Sequence, residues 1–281
     1  MKTTPTILPA FSRGIVLALA LTLSSVLGYA AGPTSKLYVA QVGDKEAEIN
    51  TGERIENLAD KDVRPAEGTT IQTKPDAKPA AVVLSNSTGV FFDPDTKLEV
   101  AKFMQEPFTP NRTDLETEPS MSQTQGNIVH GAVGLCTPKM VSGSSMVFNT
   151  PQASVTVQGR KSVISTDGNE TIISAMEGDQ VVRGDQFSGG QTIKEGQQAV
   201  VTRTSATTPP IITIRPIPDS QRAALNDKVD AACTARQKVY FQAVDSKSIF
   251  ADPNPKKEIV VKEVIPPTVD PVITVSAESI P

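Results

Sequence analysis

The sequence predicts an all-β chain with a single C-terminal helix, on two observations. Short runs rich in Val, Ile and Thr recur about every 8–10 residues, each closed by Gly or a polar turn, the interval of a sandwich, barrel or β-roll. Aromatic residues make up only 4% of the 281 positions, Trp is absent and Pro numbers 22. Few bulky anchors imply a thin core of Val, Ile, Leu and Met, which suits a narrow β architecture better than a large enzyme. The clearest stretch runs from Ile128 to Thr202. There Val155 and Val157 fall on one face and Thr156 and Gln158 on the other, the period-two signature of a half-buried strand.

Residues 1–30 are expected to be a signal peptide. Lys2 and Arg13 give a positive start, and Gly14 to Leu27 is apolar apart from Thr22, Ser24 and Ser25. Gly28-Tyr29-Ala30 then places small residues where a signal peptidase reads. The apolar run falls short of the roughly 20 residues that a bilayer span needs. The alternative is an uncleaved anchor; with no Cys after the run, a lipoprotein is not expected. The expected localisation is periplasmic or extracellular, with membrane contact only through the leader. Loss of Lys2 and Arg13 takes the formal charge from −4 to −6, since two positives are subtracted. Neither value gives the basic footprint that nucleic acid requires.

A β domain is expected over 37–202. Leu37 to Val42 and Ala47 to Asn50 read as strands, and Glu53 to Arg64 as a loop with little regular signal. Thr69 to Thr73, Ala80 to Leu84 and Val90 to Phe92 follow as strands. Lys74 to Lys78 and Ser85 to Gly89 make the turns between them. Lys97 to Phe103 alternates, with Leu98 and Val100 inward and Lys97 and Glu99 outward. The polar loop 105–125, with Pro107, Pro110 and Pro119, interrupts the rhythm as a surface excursion. The strand pattern resumes at Gly126.

The order of motifs carries a family resemblance. Gly68-Thr69-Thr70-Ile71-Gln72-Thr73, then Ala81 to Asn86, Thr96-Lys97-Leu98-Glu99-Val100, Gly126-Asn127-Ile128-Val129, Asn149-Thr150-Pro151-Gln152-Ala153, Glu177-Gly178 and Glu195-Gly196-Gln197 together resemble the FecR-like domain family. That family is named for the periplasmic regulator of ferric-citrate signalling. The match spans Val39 to Val201, and the Gly143-Ser144-Ser145 turn is similar to versions in exported stand-alone members. The resemblance implies a β-solenoid or roll of stacked short strands. It also implies a departure: where the family has Gly-Val-Arg-Gly-Thr-x-Phe, this chain has Thr156-Val157-Gln158-Gly159-Arg160-Lys161-Ser162, keeping only Val157 and Gly159. Signalling members carry a cytoplasmic segment and a membrane helix before this domain. Here a leader-like segment stands in that place, so a sigma-regulator role is not carried over.

Beyond Thr202 the composition shifts. Residues 203–218 are expected to be a linker holding a last strand at Ile211 to Ile214. Residues 219–242 are expected to be a helix, with Asp219 or Ser220 as N-cap and Leu225, Val229, Ala232, Cys233, Val239 and Tyr240 along one stripe. Residues 251–281, with Pro253, Pro255, Pro266, Pro267 and Pro271, read as an extended flexible tail. In an exported chain Cys136 and Cys233 have a disulfide open to them, which would close a loop of about 100 residues and add roughly 3–5 kcal/mol. Two separate thiols are the alternative, because spacing along the chain does not place the Cα atoms within reach.

No reactive constellation emerges, so no catalytic, cofactor or metal residue is assigned and no enzyme activity is expected. His130 is the single histidine and lacks partners for a triad or zinc site. Ser142-Gly143-Ser144-Ser145 is not in a strand-elbow-helix context and reads as a turn. Asp93-Pro94-Asp95 and Asp167-Gly168-Asn169 lack the extended ligand spacing of a calcium loop. Gly178, Gly184 and Gly189-Gly190 do not follow a strand-to-helix pattern, so no phosphate cradle is expected from them. Asn86, Asn111 and Asn169 begin Asn-x-Ser/Thr triplets that composition alone explains. The expected role is binding or scaffolding in the envelope, with another envelope protein or a cell-surface polymer as partner. A sensing module acting on a protein and a carbohydrate-binding β-protein are the alternatives; low aromatic content counts against the second.

Overall fold

Turn chemistry and period-two alternation cut the chain into strands that form two layers sharing one strand. The computed structural model describes residues 35–108, 116–184, 189–205, 208–245 and 257–264; the expected leader and the last residues of the expected tail lie outside them. The shared strand is β9 (Ser122–Cys136). Its first part belongs to one sheet and its last part to the other. The crossover is at Gly131, whose φ of 88° is a left-handed conformation that side chains rarely adopt. A Cβ there would also lie 2.5 Å from the Asp95 carbonyl oxygen, so glycine is required twice over.

The first layer, the helix-side sheet, runs in the order β4 (Val63–Pro65), β1 (Lys36–Gln41), β6 (Ala80–Leu84), β7 (Gly89–Phe92) and β9. It continues through β12 (Lys161–Thr166), β13 (Glu170–Glu177), β16 (Gln197–Thr202) and β17 (Ile211–Pro216). The second, the open-side sheet, runs β3 (Ile55–Asn57), β2 (Ala47–Asn50), β5 (Thr69–Thr73), β8 (Lys97–Gln105) and β9. It ends with β10 (Ser145–Asn149), β11 (Ser154–Val157), β14 (Gln180–Arg183) and β15 (Gln191–Ile193). The β9–β10 pair is parallel. The fold is thus mainly β with one helix, as predicted; a solenoid is not shown by this pairing.

One core lies between the layers. Leu37, Val82, Phe92, Val133, Ile164 and Ile173 reach it from the helix-side sheet, and Ile49, Ile71, Leu98, Ile128, Phe148 and Val155 from the other. Each fully buried aliphatic or Phe side chain contributes roughly 1.5–3 kcal/mol by leaving water. The expected inward residues Leu98 and Val100 are both in this core.

The helix-side sheet is covered on its outer face too. Helix α1 (Asp219–Gln237) lies against β6, β7, β9 and β12. That is why β6 and β7 are buried at every position instead of alternating. Gly89 and Gly134 let the helix approach: a Cβ on Gly89 would sit 2.0 Å from the Ala232 carbonyl oxygen, and one on Gly134 2.8 Å from that of Lys228. Pro218 occupies the N-cap position without a side-chain cap, in place of the expected Asp219 or Ser220. Asp219 instead takes the Nε–H of Arg222 at 3.0 Å.

The helix is shorter than the expected 219–242. Val239, Phe241 and Ala243 alternate inward in β18 (Val239–Asp245), which pairs with β19 (Lys257–Glu263). This hairpin buries Val239, Phe241 and Ile259 against Tyr38, Ala81 and Val83. A strand therefore stands at 257–263, within the expected tail, because Ile259 has an apolar surface to cover. Glu263 closes it onto the β1 side through Lys61, 2.8 Å away. Two further strands, β3 and β4, lie where a structureless loop was expected. Strand β8 runs on to Gln105 and β9 starts at Ser122, so the polar excursion is narrower than 105–125.

Candidate functional site

Cys136 and Cys233 are joined in a disulfide, their Cα atoms 5.1 Å apart and 97 positions apart in sequence. Cys136 is the last residue of β9 and Cys233 sits on α1, so the bond ties the helix to the shared strand. Phe91 and Ala232 pack around it. Buried Arg236 lays Nη1 3.9 Å from the Cys136 sulfur and donates to the Thr137 carbonyl at 3.4 Å. A cleft of about 370 Å³ opens beside the bond. Its charges are matched: Arg160 meets Glu116 at 2.8 Å, and Lys161 meets Glu177 at 3.4 Å and Asp230 at 3.9 Å.

The outer face of the open-side sheet has a different character. No helix or hairpin among the described residues covers it. Its middle strands present Gln123, Gln125, Asn127 and Val129 from β9, Ser145, Val147 and Asn149 from β10, and Ser154 and Thr156 from β11. These groups carry no charge and no aromatic ring, while the neighbouring β8 adds Lys97, Glu99 and Lys102 to the face. A row of hydrogen bonds crosses three strands: Asn149 Nδ2 donates to Asn127 Oδ1 at 3.1 Å, and Asn127 Nδ2 to Glu99 Oε2 at 3.0 Å. Register places these residues opposite one another, since Glu99 pairs with Asn127 and Asn127 with Asn149.

At one end of this face lies a second cleft, of about 500 Å³. The Thr150–Ala153 turn, Ser154, Arg183 and Arg203 border it. Thr150 and Gln152 are tied into the body: the Thr171 hydroxyl donates to Gln152 Oε1 at 2.8 Å and lies 2.8 Å from Thr150 Oγ1, a second hydroxyl in the same chain of hydrogen bonds. The Thr-Pro-x-Ala motif is therefore a braced turn. Arg183 ends β14 opposite Ser154, and Arg203 follows β16 and donates to the Gly184 carbonyl at 3.4 Å.

A buried carboxylate sits at the foot of the polar excursion. Glu118 is fully buried and accepts from the Ser122 and Ser144 hydroxyls and from the Val141 N–H at 3.2 Å. Burial pushes its carboxyl above the ordinary value, while these donors hold it down in part. Asn86 reaches the same cluster through Ser122, at 3.1 Å. The network pins the excursion to the Ser142–Ser145 turn and keeps the Glu118 side chain out of water. Sequence reading missed Glu118, for a lone Glu before a strand gives no signal of burial.

The remaining candidates are dispersed. His130 is partly exposed, with Nε2 3.4 Å from Asp95 Oδ1, and no serine or cysteine is placed beside the pair among the described residues. Asp93 holds Lys228 of α1. Asp167 accepts the Asn169 and Glu170 N–H groups at 2.8 Å, making a turn. Gly178 packs on Gly159 at the β13–β14 turn, and Gly190 packs on Val181 and Arg183. Asn86 is buried and Asn169 stands in a turn; Asn111 lies outside the described residues. Among the described residues, no group of three or more His, Cys, Asp or Glu could hold a metal ion, and no helix is long and apolar enough to cross a membrane.

No protein-family model matches the chain, and no curated protein matches it. Two crystal structures of a proposed anti-sigma factor from Parabacteroides distasonis are similar to it in part. Each is 16% identical, covers 55% of this chain and 62% of its own, and gives a TM-score of 0.39. The chain thus spans less than two thirds of that protein. The likeness is too distant to carry a conclusion about fold or function.

Proposed function

We propose that this chain is an exported, non-catalytic interaction module of the FecR-like type that engages an envelope protein or cell-surface polymer through its open-side sheet. The observation that carries this reading is the asymmetry of the two layers. One outer face is closed by α1 and the β18–β19 hairpin and clamped by the Cys136–Cys233 bond. The other carries a row of amide and hydroxyl side chains on β9 to β11, in which Asn149 and Asn127 are chained by hydrogen bonds to the Glu99 carboxylate of β8. The leader-like first 30 residues and the disulfide both suit an oxidising compartment, periplasmic or extracellular. The FecR-like order of motifs supports the family reading and, with it, the roll-like description of the fold. Amides and hydroxyls also hydrogen-bond sugars, which favours a carbohydrate polymer as second reading, although the face offers no ring for a sugar to stack on.

The test is affinity capture from the envelope fraction with residues 31–281 as bait, followed by mass spectrometry. Two charge insertions on the open face, Gln125→Lys and Asn127→Lys, are compared with Arg222→Glu on the exposed side of α1. A dominant partner kept by Arg222→Glu and lost by both face variants supports the proposal. A partner retained by the face variants, or none captured by any bait, rejects it. Recovery of polysaccharide in place of protein selects the second reading.

A further inference from the structure

We infer that the cleft between the Thr150–Ala153 turn and Arg183 and Arg203 is a binding site for an oxyanion, the carboxylate or phosphate group of a ligand. The starting point is a contrast with four other arginines. Arg54, Arg64, Arg160 and Arg222 each hold a carboxylate within 4 Å. Among the described residues, Arg183 and Arg203 form no ion pair and no carboxylate lines the cleft. The rest of the lining is neutral, with hydrogen-bonding groups on Asn149 and Ser154. A guanidinium presents a planar fork of N–H donors matched to the two oxygens of a carboxylate or phosphate, and two forks in one concavity leave a net positive site.

One local detail favours a built site, at Arg203, which is half-buried beside the exposed Arg183. Arg203 Nε is shut away from water with no hydrogen-bond partner, while its Nη2 makes only the long contact to Gly184. Arg64 Nε is buried in the same state, and for Arg203 a small shift of the side chain toward the cleft would bring the donor to an acceptor there. The volume of about 500 Å³ suits a ligand the size of one or two sugar rings or a short peptide. The cleft would hold its anion whether or not the open face takes a partner.

The experiment titrates the full chain with three probes, sodium glucuronate, inorganic phosphate and uncharged glucose, by calorimetry and by two-dimensional NMR. Expected is one saturable site for glucuronate, phosphate or both, silence with glucose, and amide shifts centred on Thr150–Ser154 and Gly184. Arg183→Gln and Arg203→Gln should each weaken binding at least about tenfold, a loss typical of one charge-assisted contact. Arg183→Lys, which keeps charge and bulk but not the fork, should weaken carboxylate binding by a smaller factor. Preference for glucuronate over phosphate identifies a carboxylate ligand, and the reverse a phosphoryl one. No binding of either anion up to about 10 mM, or equal binding by both Gln variants with unchanged melting profiles, overturns the inference.

Discussion

Removing the Cys136–Cys233 bond should be the most informative single perturbation of this fold. The bond spans 97 positions, and chain entropy assigns a cross-link over about 100 residues roughly 4.7 kcal/mol at 25 °C. The packing of Val229, Ala232 and Ala235 survives the change, so the loss should not much exceed that figure. For a domain of this size each kcal/mol moves Tm by about 2–4 °C, which predicts a fall of roughly 10–20 °C in a Cys136→Ala, Cys233→Ala double variant. Thermal melts of the oxidised protein and the double variant measure it. Amide exchange along α1 adds a local readout, for a helix held only by packing opens more readily than one bonded to β9. A Tm shift under about 2 °C, with the oxidised state of the reference verified by mass, would refute the reasoning. It would mean that the unfolded chain is already confined, or that α1 contributes little to global stability.

Two other predictions concern stability. Gly89→Ala places a Cβ against the Ala232 carbonyl and Gly134→Ala one against that of Lys228, so both should lift α1 and cost about 1–3 kcal/mol, with Gly89→Ala the worse; urea denaturation and the fraction of paired cysteines report it. Glu118 has a folded-state pKa raised by burial, so its protonated form is favoured in the fold. Its contribution to stability is fully present below the unfolded carboxyl value and is lost as pH rises through the folded one. Glu118→Gln should remove that component and flatten the decline of Tm from acid toward neutral pH; an unchanged slope across that window would show that Glu118 does not govern it.

Much of the fold was legible because strands with alternating Val, Ile and Thr announce a buried face. Strands β5 to β8 stand where the pattern put them, and β11 carries the alternation read at Val155 and Val157. Strands β3 and β4 were not legible: three residues hold too little pattern, and Ile55 and Val63 face solvent. The end of α1 was misread because Val239 and Tyr240 fit a helical stripe if followed for one more turn. Only the partner strand reveals that Val239, Phe241 and Ala243 keep a period of two. Strand β19 was hidden by its charges, since a single residue, Ile259, is buried within it. The cleft could not be foreseen, because Arg183 and Arg203 are ordinary surface cations in sequence and meet only through the β14 and β16 ends. Glu118 was invisible for the same reason: its donors come from Ser122, Val141 and Ser144, which the fold gathers.

The shared strand has a consequence for how the chain is assembled in time. Strands β1 to β8 pair among themselves, as do β10 to β17, and among the described residues every ladder joining the two groups passes through β9. A nascent chain that has emerged only to Gln105 therefore carries two incomplete sheets, each ending in an unsatisfied border, β7 in one and β8 in the other. One segment, Ser122 to Cys136, closes both borders and opens two new ones for the second half to extend. Its last residue then waits for a cysteine synthesised 97 positions later. Maturation should accordingly occur in a late concerted step, and a ribosome stall ahead of Cys233 would leave the two layers β1 to β17 without the clamp and without the β18–β19 hairpin that covers them.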